Sequence, residues 1–465
     1  MAQVISPPTF DVAFSRDALG AAWLRLKESK TDILTHRVKI PGGWDGVTVR
    51  RFERQLNQHL AAIERQVRSG RYTFRPFLYH FQPKVDGGER KIAYSGIRDR
   101  IVQAALHDVM APAIDARLTD SAFAYRSGIS THDAIRRIYA VTTRGQAYFV
   151  KSDFVKFFDK LDHARLRVLL DGLDVDVRAR QLAWRFLRTG DVARDVARKE
   201  RSYPPSRGLG VPQGGVISGL LANLYLASFD EAVRSVPGTT LVRYADDFLV
   251  FCRDEETCRA ALSTIRESAN SVHLELHDGT KTVECGHIDD GVNFVGFRVR
   301  GTRISVKPTN VVKFKRRLDG VIRAHVARLD DRTYENAREC VQNTLFHINR
   351  KVVGIEIEPG VHRSWIACFR IVNDVAQVRQ LDRWMRGRIS GMMRRVGFRH
   401  ASRSELLAAG YHPLLREYWS VRRKMGAPVF PFRGMVGTSD SESSAVQEGA
   451  LSYEVQDPLR VEKGT

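Results

Sequence analysis

Two adjacent carboxylates, Asp246 and Asp247, lie between apolar runs in Leu241-Val-Arg-Tyr-Ala-Asp-Asp-Phe-Leu-Val-Phe251. Hiding such a pair between strands is costly unless something cationic compensates it. A bare Asp-Asp pair also suits a charged two-residue turn, and the apolar flanks shift the balance toward a buried site. A third acid, Asp153, follows the strand-like run Tyr148-Phe-Val-Lys-Ser152 and precedes a helix start. A strand end in that setting can project a ligand toward a neighbouring strand. Asp153, Asp246 and Asp247 together predict a carboxylate cluster for hard divalent cations. Oxygen-only ligation fits Mg²⁺, held by a few carboxylates plus substrate phosphates, with Mn²⁺ able to substitute. Two such ions about 4 Å apart activate a 3′-hydroxyl and stabilise a leaving pyrophosphate. The chemistry that follows is nucleotidyl transfer.

The elements that must position these acids are legible in outline. Short apolar strands alternate with helical segments from Tyr148 to Arg300, the rhythm of an α+β or α/β layer. Ahead of them, Phe52, Leu56, Leu60, Ile63 and Val67 recur at helical spacing, so an amphipathic helix is expected over Arg50 to Arg68. Two β-rich runs then flank Asp86-Gly87-Gly88, the chemistry of a tight hairpin. Helices are expected from Asp99 to Met110 and from Thr131 to Ala140. After Pro308 the strands fade into an Arg-rich helical region in which Leu381, Met385, Ile389, Met392 and Val396 form one stripe.

Composition narrows the partner. The 465 residues carry 74 Lys and Arg against 53 Asp and Glu, a formal net charge of +21. Such a balance suits an extended polyanion. The longest apolar stretch, Ile217 to Phe229, is broken by Gly219, Asn223 and Ser228 and is shorter than the roughly 18 residues of a membrane span. The N-terminus lacks the basic and apolar regions of a signal peptide, so the expected compartment is the cytoplasm, with no membrane partner. Five scattered cysteines, none in a C-x-x-C pair, predict neither a disulfide framework nor a zinc knuckle.

The motif Tyr244-Ala-Asp-Asp247 resembles the catalytic box of reverse transcriptases, and further boxes follow the family's order. Gly43-Trp-Asp-Gly-Val47 is similar to an N-terminal motif, and Gln82-Pro-Lys-x-x-Gly-Gly-x-Arg-Lys91 and Asp99-Arg-Ile-Val-Gln-Ala-Ala-Leu106 resemble the fingers motifs. Phe123-Ala-Tyr-Arg-Ser-Gly-x-Ser-x-His-Asp-Ala-Ile135 resembles the next block. Gly210-Val-Pro-Gln-Gly-Gly-Val-Ile-Ser218 looks like the primer- and dNTP-proximal box, and Lys281-Thr282 with Phe294-Val-Gly-Phe297 completes the set. The chain thus resembles bacterial reverse transcriptases of the group II intron type.

That resemblance implies a right-hand polymerase fold, α+β, with fingers, a palm built on an antiparallel sheet, and a helical thumb. Its expected division is an N-terminal helical extension (1–72), fingers and palm (73–304), a basic helical thumb or maturase-like region (305–435) and a disordered acidic tail (436–465). It makes Asp153 and Asp246 the principal metal ligands, with Asp247 beside them. It places Phe158 against the sugar C2′, Lys84 and Arg90 on the triphosphate, Gln213 in the dNTP pocket, and Lys281 as a proton donor to pyrophosphate. His132 matches a family histidine and is expected to be structural. Gly219 stands where the family usually has Pro, and Gln82 replaces the usual Ile.

The implied activity is RNA-directed DNA synthesis from dNTPs on a primed RNA template, with a dedicated intron or noncoding RNA as partner. Arg316, Arg317, Arg386, Arg388, Arg394 and Arg395 are expected to meet RNA phosphates, a contact blind to sequence. No Cys/His endonuclease module follows the helical region, which favours a stand-alone or domesticated enzyme over a complete mobile element, with intron and defence roles both open. The alternative is a maturase acting mainly as an RNA-binding splicing cofactor.

Overall fold

Phe77 and Leu78 begin the first strand and Ala93 and Tyr94 end the second, so the buried ends of the two lie together while their far ends are exposed. The computed structural model describes residues 7–31, 38–83, 87–194, 208–277, 284–329, 334–358, 361–399 and 401–424. Strands β1 (Phe77–Pro83) and β2 (Glu89–Tyr94) pair antiparallel, with Leu78 opposite Tyr94 and Pro83 opposite Glu89. Gly87 and Gly88, at φ 91° and 78°, take the left-handed conformation that the expected hairpin turn requires. After β3 (Tyr148–Ser152), a short β4 (Asp191–Ala193) joins β1 in parallel. That three-residue strand carries no periodic signal of its own and was not anticipated.

The second sheet is the one that matters for chemistry. Strands β5 (Thr240–Tyr244), β6 (Asp247–Cys252) and β7 (Glu284–His287) join β3 in the order β5-β6-β3-β7, with every pair antiparallel. Side chains directly opposite one another share a face. Val150, Leu241, Phe248, Val250 and Cys252 point into one apolar core with the helices Ser218–Arg234 and Glu255–Ser271. The alternate residues therefore line the other face, and at one end of it stand Tyr244, Asp247 and the position after β3.

The helix expected over Arg50 to Arg68 is two helices, Val49–Arg54 and Leu56–Arg68. The break is at Gln55, whose φ of −123° leaves the helical range. Phe52 packs on Trp23 with ring centroids 5.0 Å apart, while Leu60, Ile63 and Val67 stay buried beyond the break. The helix from Asp99 runs longer than expected, Ile97–Asp115, with Pro112 inside it, and that from Thr131 ends at Thr143. A capping box formed by Ser130 and Asp133 starts the latter.

The chain forms two compact units, Met1–Thr302 with Lys307–Val311, and Arg303–Val306 with Val312–Thr465. Within the second, the backbone of strand Arg303–Val306 bonds to Asn373 and Gln377 at the start of the helix Val375–Arg395. Leu381, Met385, Ile389, Met392 and Val396 are all buried, as their spacing predicts. A short antiparallel pair, Ile355–Glu358 with Val361–Arg363, interrupts the helices where none was expected. The acidic tail lies outside the described residues. Among those described, no helix is long and apolar enough to cross a membrane.

Candidate active site

A two-residue turn presents the acids. Tyr244 pairs with Asp247 across it, so Ala245 and Asp246 are the turn and Asp247 is the first residue of β6. The acidic pair is thus split between turn and strand, which a reading of the pair as one charged turn does not foresee. Ala245 has a φ of 60°, the sign that tight hairpin turns need at their first central position and that glycine usually supplies. A residue held in this conformation must be fastened by its surroundings.

The fastening is a buried ion pair that sequence inspection missed. Arg243 and Asp230 are both 0% exposed at their side chains. Arg243 Nε and Nη2 donate to the two Asp230 carboxylate oxygens, each at 2.6 Å. Its Nη1 donates to Asn223 Oδ1 and to the Ala245 carbonyl, both at 3.0 Å. Asn223 in turn donates to the Ala124 carbonyl at 2.7 Å, tying the helix Ser218–Arg234 to the segment before Arg126. The available hint was Arg243 among apolar residues of a strand. Its partner, on another element, cannot be found by spacing.

Asp153 reaches the same place through register. Ser152 lies opposite Phe248, so the next residue along the antiparallel pair, Asp153, falls opposite Asp247. The electrostatics agree with this juxtaposition. Burial raises the Asp247 carboxyl to about 7, and the Asp153 and Asp246 carboxylates push it the same way, against Lys151 and Lys307. A carboxyl whose folded value is raised contributes stability below its unfolded value and loses it as pH rises through about 7. At neutral pH the site therefore carries a cost that a bound cation would remove, and the all-oxygen donor set suits a hard divalent ion. Among the described residues no three His, Cys, Asp or Glu side chains are already gathered in a metal-ligating cluster. Like charges without a counter-ion do not draw together.

Phe158 belongs to a short helix, Phe157–Lys160, that is fastened on several sides. Phe154 and Phe157 are buried, whereas Phe158 is half-buried, edge-on to Phe157 at 5.3 Å and to Tyr125 at 6.4 Å. Its carbonyl accepts from the Val211 amide at 2.7 Å, and a Cβ on Gly210 would stand 3.2 Å from that carbonyl oxygen. The glycine-rich box therefore packs on the Phe158 backbone. At its other end the Gln213 carbonyl accepts from Ala93 of β2 at 2.9 Å. Gly214, at φ 122°, approaches the Ala93 carbonyl so closely that a Cβ would come within 2.3 Å of it. Gln103 closes the arrangement, accepting from the Val216 amide at 2.7 Å and donating to Ser95.

The remaining expected site residues divide. Arg90 is exposed on β2 opposite Gln82, and its charge is felt at Tyr125. Lys84 and Lys281 lie outside the described residues. His132 is buried with its ring 6.0 Å from Phe297, a structural setting. In the second unit Arg316, Arg317, Arg394 and Arg395 are exposed. Arg386 and Arg388 are instead engaged, Arg386 with Asp382 at 3.4 Å and Arg388 with Asp319 at 2.7 Å.

Residues 82–299, which include Asp153, Phe158, Gln213, Asp246 and Asp247, match the family described as reverse transcriptase (RNA-dependent DNA polymerase). These residues are a reverse transcriptase domain. Its fold is that of a right-hand polymerase, α+β with an antiparallel palm sheet, and its class is RNA-directed DNA polymerase, a nucleotidyltransferase. The reverse transcriptase is of the group II-like kind. The chain is 27% identical over 297 residues to Protein YkfC of Escherichia coli, covering 55% of this chain and 75% of that protein. It is 27% identical over 177 residues to the group II intron-encoded protein LtrA of Lactococcus lactis, covering 38% and 28%. An uncharacterized 91 kDa protein in the cob intron of Schizosaccharomyces pombe is 27% identical over 226 residues, covering 49% and 26%. The match spans three quarters of the first relative and about a quarter of the other two. Solved structures similar to the chain include an apo telomerase from Candida tropicalis truncated from the C-terminal domain (15% identity, 50% of this chain and 55% of that one, TM-score 0.37). A partial Cas6-RT-Cas1–Cas2 complex is another (24% identity, 56% and 42%, TM-score 0.32).

Proposed function

We propose that this chain copies an RNA template into cDNA by two-metal nucleotidyl transfer, in the cytoplasm, working with a dedicated structured RNA of the group II intron type. The observation that carries this reading is that β3, β5 and β6 end together, so that Asp153, Asp246 and Asp247 follow or begin strands at the same end of an antiparallel sheet inside a reverse transcriptase domain. Bound there, two Mg²⁺ ions would activate the primer 3′-hydroxyl and stabilise charge on the leaving pyrophosphate. Asp153 and Asp246 would be the principal ligands, with Asp247 beside them in its deprotonated form. Arg90 and Lys84 neutralise the triphosphate, Gln213 lines the nucleotide pocket beside β2, and Lys281 supplies the proton that pyrophosphate takes. On this reading residues 1–72 are an N-terminal extension, 73–304 the fingers and palm, and 305–435 the thumb. The relatives encoded in introns favour an intron-type RNA over a defence-associated one.

The half-buried Phe158 ring excludes a 2′-hydroxyl from the sugar position. Phe158→Ala opens volume for one hydroxyl, and steric discrimination of that kind is worth about 1–3 kcal/mol. Single-nucleotide incorporation on a primed RNA template in Mg²⁺ should show dGTP use by the native protein and relatively greater GTP use by the variant, by roughly 10- to 100-fold. No incorporation of either nucleotide by the native protein would remove the polymerase reading. An unaltered ratio in the variant would make Phe158 a packing residue.

The second unit supplies RNA binding through its exposed arginines. Neutralising Arg316, Arg317, Arg394 and Arg395 together should weaken RNA binding and reduce the slope of log K against log salt by about 3, close to one counterion per lost contact. Filter binding at several salt concentrations measures it. A slope that the quadruple variant leaves untouched puts the RNA on another surface.

A further inference from the structure

Gly219, where the resembled family usually carries Pro, is the second residue of the helix Ser218–Arg234, and the Tyr125 ring occupies the place of its missing side chain. A Cβ on Gly219 would stand 2.4 Å from Cγ and Cδ1 of that ring, closer than such atoms approach. Tyr125 itself holds a φ of 57°, a conformation that an aromatic residue seldom adopts, and is 47% exposed. The chain on either side is clamped. Arg126 donates to both Asp115 carboxylate oxygens and to the Thr119 and Ala122 carbonyls, and Asn223 holds the Ala124 carbonyl. A strained residue that its neighbours over-determine points to a functional constraint.

The constraint has a visible beneficiary. The Tyr125 ring stands perpendicular to Phe158, at 89° and 6.4 Å, the edge-to-face geometry that aromatic pairs prefer. The buried Phe157 ring also meets Phe158, at 5.3 Å, so Tyr125 and Phe157 together limit its movement. Burial and the Asp246 carboxylate both raise the Tyr125 phenol, which agrees with a ring close to the turn that carries Asp246. We propose that Tyr125, seated on Gly219, is a positioning residue that holds the Phe158 ring against the nucleotide sugar and thereby sets discrimination between deoxyribo- and ribonucleotides. The proposal rests on the reading of Phe158 as the residue facing the sugar.

The test measures the ratio of GTP to dGTP incorporation by the full chain on a primed RNA template. Tyr125→Ala should raise that ratio about three- to tenfold, the range an aromatic pair contributes. Tyr125→Phe should keep the native ratio, because the ring and not the hydroxyl does the holding. Gly219→Ala should raise the ratio by displacing the ring, and Tyr125→Ala added to Gly219→Ala should change it no further. Native ratios in both Tyr125→Ala and Gly219→Ala, alongside a raised ratio in Phe158→Ala, would overturn the positioning role while leaving the sugar-facing reading intact. A native ratio in Phe158→Ala would remove that reading and this proposal together. Should Tyr125→Ala lose its folded circular dichroism signal, Tyr125→Leu is read in its place with the same expectations.

Discussion

Asp246→Ala is expected to make no detectable cDNA from a primed RNA template, a loss of at least about a thousandfold, because in the proposed mechanism the chemistry rests on ions held by carboxylates. The side chain belongs to the turn between β5 and β6 and is only half-buried, so its removal touches the site far more than the core. The backbone of that turn is held from elsewhere, through the Arg243 bond to the Ala245 carbonyl. Primer extension with purified protein and Mg²⁺ measures the activity, and a melting curve close to the native one shows that the loss is chemical. Extension at the native rate would sink the assignment of the turn as the catalytic centre. The experiment is sharper than metal removal alone, since chelation also strips ions from the RNA.

Arg243→Ala is expected to cost about 3–5 kcal/mol of stability, and Asp230→Ala a similar amount, because either change leaves a fully buried charge without its partner. Replacing both at once, as Arg243→Met with Asp230→Leu, should cost much less than the sum, since no orphaned charge remains. Urea midpoints followed by tryptophan fluorescence test this. The double variant should nevertheless extend primers poorly, because Asn223 and the Ala245 carbonyl lose their common donor and the turn carrying Asp246 loses its support. Single substitutions costing under about 1 kcal/mol would mean that the pair is relaxed in solution and that something else holds the turn. The expected combination, a tolerable double substitution with poor activity, would separate what folds the palm from what aims its acids.

Much of the candidate site is written locally. Apolar runs interrupted by one acid or by an adjacent pair mark Asp153, Asp246 and Asp247, the paired glycines mark the turn between β1 and β2, and the helical stripe from Leu381 to Val396 is buried as its period requires. These signals survive in one dimension because a strand repeats every two residues and a helix about every 3.6, so burial is encoded by near neighbours. The expected single helix over Arg50 to Arg68 shows the limit of that logic. Its periodicity continues through Gln55 although the backbone does not.

The chain by itself thus marked the candidate residues for the chemistry and many of the strands and helices around them, though not β4, the short pair Ile355–Glu358 with Val361–Arg363, or the break at Gln55. Only the tertiary structure decided who meets whom. Register set Asp153 opposite Asp247, an ion pair joined Arg243 on a strand to Asp230 on a helix, β4 arrived beside β1 from about a hundred residues away, and the Tyr125 ring found the space that Gly219 leaves open. The physical reason is that such contacts depend on the relative placement of separately formed elements. Local spacing records the face a residue shows to the core, but the partner on the facing element is chosen by packing and by the requirement that every buried charge and polar group be matched.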